Sequence, residues 1–279
     1  DQMQVRGLVR QNGYRDFLLF GVVNGPAEGV PDYQLYSDGI RFLQEVARDP
    51  DRPWALFISS EAPHDPWLVP QVYYDRYDPA DIPRPPRFDD DLSDRPGIYR
   101  QLQGVWRELE WPQFAQATAC YYAYCSLVDD QIGRILTALN ELGQSENTIV
   151  VFTADHGDYL GDHRLVLKGV APFEGAYRVP LILSGPGIPA DQKVEEIVSL
   201  IDLAPTLVEL TTGGEFPCHG RSLLPLLGSE IPEWRSEAFA EFHGQRFFYT
   251  QRVLWRDNFK YVFNGFDEDE LYDLAADPY

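Results

Sequence analysis

The feature that most constrains this chain is a long apolar stripe that runs almost directly into a short β-branched stretch. From Phe114 to Leu142, the residues Ala117, Cys120, Tyr124, Leu127, Val128, Ile132, Ile135, Leu139 and Leu142 recur at three- and four-residue steps. That period puts them on one face of an α-helix, and Gly143 supplies the stop. After Glu146-Asn147-Thr148 come Ile149-Val150-Val151-Phe152, the profile of a strand buried on both faces. Helix and strand make an αβ unit. The strand delivers Asp155 and His156 at its C-terminal end, the edge where open parallel sheets bind ligands.

A carboxylate beside an imidazole, released by Gly157, offers oxygen and nitrogen donors to a divalent ion without fixing which ion. Lys168 brings a point positive charge twelve residues after His156. An Asp-His pair by itself is more often a solvated carboxylate next to a structural histidine, so the pair needs its surroundings. On the long helix, Asp129 and Asp130 are read as solvated or salt-bridged.

Upstream, residues 1–30 are apolar for a tail (Leu8, Val9, Phe17, Leu18, Leu19, Phe20, Val22, Val23) and read as an incomplete beginning. Tyr36, Ile40, Leu43 and Val46 or Ala47 predict a helix over 33–48, ended by Asp49-Pro50. Trp54 to Ser60 predicts a second buried strand. His64 follows it in Ala62-Pro63-His64-Asp65-Pro66, a loop stiffened by its prolines. Residues 70–112 are rich in Pro, Asp and Arg and predict a surface excursion without regular structure. Downstream, Val179 to Leu183 predicts a strand, and Val194 to Leu200 an extended stretch. Asp202 is expected to cap a helix beginning at Leu203. From about Pro232 the texture changes to short strands at 238–242, 247–254, 259–263 and 270–274. This divides the chain at 230/231 into an α/β domain (1–230) and an incomplete antiparallel subdomain (231–279).

Forty-four acidic side chains against 23 basic ones leave a net charge of −21. Such a surface repels nucleic-acid phosphate and anionic membrane, so neither is expected as a partner. No run approaches the ~20 apolar residues of a membrane span. Three cysteines, with no CxxC pair, predict buried structural thiols and no disulfide framework. That favours a reducing, cytoplasmic compartment over a periplasmic one.

Phe152-Thr-Ala-Asp-His-Gly-Asp-Tyr-Leu-Gly-Asp-His163, then Lys168-Gly169, then Glu174-Gly-Ala-Tyr-Arg-Val-Pro-Leu-Ile182, resembles the sulfatase family of the alkaline-phosphatase-like superfamily. The resemblance implies an α/β fold, a mostly parallel sheet flanked by helices, with the start of a small antiparallel C-terminal subdomain. It implies metal-dependent hydrolysis of small-molecule or saccharide sulfate esters. Asp155 and His156 match a metal-ligand pair. Lys168 matches a lysine on the sulfate and bridging oxygens, and His64 a histidine near the nucleophile. The implied metal is divalent, calcium ahead of magnesium or manganese. The family nucleophile is a formylglycine made in a Cys-x-Pro-x-Arg motif, and none of Cys120, Cys125 or Cys218 heads one. The chain therefore reads as the central and C-terminal portion of a sulfatase, inactive alone, with the N-terminal portion or a homo-oligomer as its protein partner. A phosphate or phosphonate monoester hydrolase of the same superfamily is the alternative. A non-catalytic remnant is the third reading, opposed by the joint presence of His64, Asp155, His156 and Lys168.

Overall fold

The computed structural model describes residues 3–5, 8–11, 14–49, 51–228, 233–245 and 247–278, with side chains from Leu18 onward. The boundary expected at 230/231 lies outside the described residues, as does Pro232. Contacts group the chain into two units. The first comprises Asp1–Asp91, Gln101–Thr148 and Tyr159–Leu167; the second comprises Leu92–Arg100, Ile149–Asp158 and Lys168–Tyr279.

In the first unit, β1 (Met3–Val5), β4 (Phe20–Val23) and β5 (Trp67–Pro70) form one sheet, and β2 (Leu8–Gln11) and β3 (Tyr14–Leu18) a hairpin. β4 and β5 run parallel, pairing Phe20 with Trp67 and Val22 with Val69. The amphipathic stripe becomes α4 (Trp111–Glu141), 31 residues long, opened by a capping box between Glu110 and Gln113. It buries Phe114, Ala119, Ala123 and Leu127. α1 (Pro31–Val46) packs on it through Gly39, where an added Cβ would stand 2.9 Å from Ile58 Cδ1 and 3.2 Å from Ile135 Cδ1. Asp130 pairs with Arg76 at 3.2 Å on the surface, the salt-bridged reading given to it.

Two expectations about this unit are corrected. Residues 54–60 are extended but pair with no strand among the described residues, and Phe57 is 89% exposed. Alternate side chains turn away: Ile58 packs by Gly39 while Phe57 faces out. An apolar run reads as a doubly buried strand only if neighbours cover both its faces. Residues 70–112 are also not an irregular excursion. They carry α2 (Gln71–Tyr74) and α3 (Gly97–Val105), the latter passing from the second unit into the first. Tyr73, Phe88 and Trp106 are buried core residues. Proline spacing hid them, because the aromatics sit at no regular period.

In the second unit, β6 (Val150–Thr153) pairs antiparallel with β7 (Leu181–Ser184), Phe152 opposite Ile182. Both of these side chains are exposed, so β6 is covered on one face only, contrary to the expected double burial. Asp202 is fully buried, but its side chain does not cap α6 (Leu203–Thr212). It accepts instead from the backbone N–H groups of Ser199 at 2.8 Å and Arg221 at 2.9 Å and pairs with Arg235. The C-terminal sheet is antiparallel as expected, in the order β11 (Glu270–Asp273), β10 (Phe259–Asn264), β9 (Gln251–Arg256), β8 (Glu237–Phe242). In β10 the inward residues are Lys260, Val262 and Asn264, whereas Phe259, Tyr261 and Phe263 face out. Asn264 points inward into a closed hydrogen-bond network with Tyr99, Gln251 and Glu270, and Lys260 inward onto Pro172 O and Glu174.

Candidate active site

The end of β6 sets the geometry of the predicted metal pair. Thr153 Oγ1 donates to Pro180 O at 2.8 Å, tying the strand end to the chain entering β7. Asp155 Oδ1 accepts from the His156 backbone N–H at 2.9 Å, leaving Oδ2 for another partner. His156 Nδ1 lies 2.9 Å from the Gly157 carbonyl. A carbonyl only accepts, so Nδ1 donates in this contact, and Nε2 is the nitrogen that could ligate a metal. That Nε2 lies 3.6 Å from Asp155 Oδ2. Two ligands held at about 2.0–2.4 Å by one divalent ion stand roughly 3.1–3.6 Å apart. Asp155 is 87% exposed and His156 36%, so the pair is open to solvent.

The pair therefore fits one edge of a divalent ion's coordination shell. Among the described residues no group of three or more His, Cys, Asp or Glu side chains could enclose an ion. Two protein ligands alone hold a hard cation weakly.

Gly157 is required by packing. Its N–H donates to Ala176 O at 2.8 Å, and an added Cβ would stand 2.0 Å from the Gly175 carbonyl oxygen. The short helix α5 (Glu174–Tyr177) is thus the wall against which the Asp155–His156 turn rests. In the sequence, Glu174-Gly175-Ala176 stands out only within the stretch that resembles the family. Two glycines facing each other across a close backbone approach were the signal for this role.

Lys168 belongs to the same unit as Asp155 and His156 and is half-buried. It is preceded by a tightly folded segment, 159–167, that belongs to the first unit. There Leu160, His163, Arg164 and Leu167 all adopt positive φ, between 47° and 68°. Each such non-glycine residue costs roughly 1–2 kcal/mol, and the surroundings hold them. Tyr159 N donates to Leu167 O at 2.9 Å and Gly161 N to Leu165 O at 2.7 Å. Arg164 donates to Leu109 O at 3.0 Å, and Leu165 and Val166 are buried. His163, read from the sequence as structural or solvated, is buried with its Nδ1 3.0 Å from Asp90 Oδ2.

His64 lies in the first unit, partly exposed, with Nδ1 2.8 Å from the Asp65 carbonyl and 3.3 Å from Asp65 Oδ1. The bonds on either side of its loop, Ala62–Pro63 and Asp65–Pro66, are both cis. The loop is anchored by a residue that sequence reasoning missed. Asp32, buried in the first turn of α1, accepts from Ser60 Oγ at 2.8 Å, Glu61 N at 2.9 Å and Ala62 N at 3.1 Å. An acidic residue directly after Pro31 at a helix start was its only trace. The structure brings Asp155 and His156 together; Lys168 shares their unit, and His64 belongs to the other.

Comparison with known proteins follows the same lines. The sulfatase family profile matches residues 6–214, and the profile for the C-terminal part of N-sulphoglucosamine sulphohydrolase matches residues 161–279. An arylsulfatase of Clostridium perfringens is 32% identical over 261 residues, covering 89% of this chain and 52% of that protein. The multifunctional alkaline phosphatase superfamily protein PehA of Trinickia caryophylli is 31% identical, covering 88% of this chain and 54% of its own length. The crystal structure of the phosphonate monoester hydrolase of Agrobacterium radiobacter superposes with a TM-score of 0.79 at 29% identity, covering 91% of this chain and 56% of that one. The chain thus spans about half the length of the relatives it matches. With one profile accounting for residues 6–214, this chain belongs to the sulfatase family, on the alkaline-phosphatase-like fold.

Proposed function

We propose that these 279 residues carry part of the catalytic apparatus of a sulfuric ester hydrolase. The observation that carries this reading is the Asp155–His156 pair, with Nε2 and Oδ2 3.6 Å apart and open to solvent and the imidazole fixed through Nδ1. Sulfate ester hydrolysis needs a nucleophile at sulfur, positive charge on the equatorial oxygens and an acid for the leaving alkoxide. Asp155 and His156 would hold a divalent ion, calcium first. When bound, the ion supplies positive charge to the anionic substrate. Lys168 adds a second positive charge for the sulfate oxygens, a need sharpened by a chain whose net charge is −21. For His64 the family resemblance implies acid–base work. The formylglycine nucleophile would come from a segment outside these residues, because none of the three cysteines heads the required motif. The match to the N-sulphoglucosamine sulphohydrolase C-terminal profile supports a sugar sulfate as substrate.

The isolated chain is expected to turn over no nitrophenyl sulfate. Turnover that is abolished by Asp155→Ala would overturn the assignment of the nucleophile to another segment. In a longer protein containing these residues, Asp155→Ala and Lys168→Ala are each expected to lower kcat/KM by at least about 100-fold. Unchanged kinetics would overturn the site.

One observation favours a second reading. Similarity to a phosphonate monoester hydrolase at a TM-score of 0.79, and to the multifunctional PehA, fits a phosphate or phosphonate monoesterase equally well. The ratio of kcat/KM for nitrophenyl sulfate to that for nitrophenyl phenylphosphonate decides between them.

A further inference from the structure

Lys260 is 2% exposed, a charged side chain in the core of the second unit. Its Nζ donates to Pro172 O at 2.8 Å and to Glu174 Oε1 at 3.2 Å. The same Glu174 oxygen accepts from Trp255 Nε1 at 3.1 Å. Lys260 and Trp255 are cross-strand partners in β10 and β9, so both stand on one face of the hairpin and converge on one carboxylate. Trp255 also packs its ring against Tyr177, at 5.7 Å between centroids. The hairpin thus grips both ends of α5, Glu174 at its start and Tyr177 at its end. The middle of α5 is what touches the site: Ala176 O takes the Gly157 N–H, and Gly175 O presses where a Gly157 side chain would be. Gly157 in turn holds His156 Nδ1 through its carbonyl.

An unbroken series of contacts therefore joins a buried ammonium in the C-terminal sheet to the imidazole at the end of β6. Burying a lysine is costly, and a methionine of similar length would fill the space without that cost. We propose that Lys260 is a positioning residue for the Asp155–His156 pair. Acting through Glu174, it pins α5 against Gly157 and thereby keeps His156 Nε2 turned toward Asp155 Oδ2. This rests on the reading of Asp155 and His156 as metal ligands.

The test is side-chain nitrogen NMR of the full 279-residue chain, with the His156 resonances assigned by His156→Gln among the five histidines. At pH 8 the native His156 is expected to show one fixed tautomer, protonated at Nδ1. In Lys260→Met, the two ring nitrogens are expected to converge toward an averaged shift while His243 and His219 keep theirs. Glu174→Ala, at a partly exposed side chain, is expected to do the same and covers the case in which Lys260→Met fails to fold. If Lys260 only stabilises the sheet, thermal stability falls and the His156 tautomer stays fixed in either folded variant; that result overturns the proposal. Titration with Mn2+ separates the two claims. Mn2+ that leaves native His156 sharp removes the metal reading, while the tautomer change in Lys260→Met would still stand. Mn2+ broadening in the native chain with an unaltered tautomer in both variants removes the positioning role alone.

Discussion

At the residue scale, Gly157 is a position with almost no freedom. A methyl group there would sit 2.0 Å from a backbone oxygen, a distance no side-chain rotation can relieve. Gly157→Ala must therefore move either α5 or the Asp155–His156 turn, and overpacking of this kind costs about 1–3 kcal/mol. The urea midpoint is expected to fall accordingly, with the unfolding slope unchanged. An alanine variant as stable as the native chain would mean that Gly175 and Gly157 do not approach in solution. Asp155 and His156 were legible in the sequence because a short β-branched run points straight at them. The partners that orient them were not legible. Glu174 and Lys260 lie 18 and 104 residues after His156, and only the tertiary fold joins them.

At the scale of elements, the segment 159–167 shows how a strained loop is held. Its Asp162 is half-buried, with Oδ1 facing no hydrogen-bond donor among the described residues. Burial pushes its carboxyl above the usual 3.8; His163 and Arg87 pull it back down, and Asp90 adds to the rise. Between 3.8 and the higher folded value, the folded chain binds more protons than the unfolded one. The stability from this group is thus fully present below 3.8 and declines as pH rises through the folded value. Asp162→Asn is expected to remove that decline and to be more stable than the native chain at pH 7, in urea unfolding from pH 4 to 7. Parallel pH curves for the two proteins would refute it. How much of each element could be read in advance depended on regularity. α4 repeats its pattern over 31 residues, so its existence was plain from sequence. β10 was expected as a strand without a buried face being assigned, and its aromatics face outward and its lysine inward. Alternation gives two faces without saying which is buried. The strand expected at 54–60 failed for want of a paired neighbour.

For the whole molecule, the dominant quantity is charge. With 44 acidic side chains against 23 basic ones, the net charge of −21 repels itself, and that repulsion works against the folded state. Opposing this are local pairs such as Arg76–Asp130 at 3.2 Å and the Arg256–Glu237 contact. Exposed pairs of this kind contribute about 0–1 kcal/mol each. Salt weakens both effects, but unequally. Raising NaCl from about 10 to 150 mM shortens the screening length from roughly 30 to 8 Å. That removes long-range repulsion across the molecule while leaving contacts near 3 Å largely in place. The melting temperature, measured with EDTA present to exclude divalent ions, is therefore expected to rise by roughly 2–4 °C, equivalent to ~1 kcal/mol. A melting temperature that falls over this range would mean that the short pairs outweigh the net charge. The acid excess would then be a set of locally compensated surfaces, and the case for a concentrated positive charge at Lys168 to draw in an anionic ester would lose its electrostatic basis.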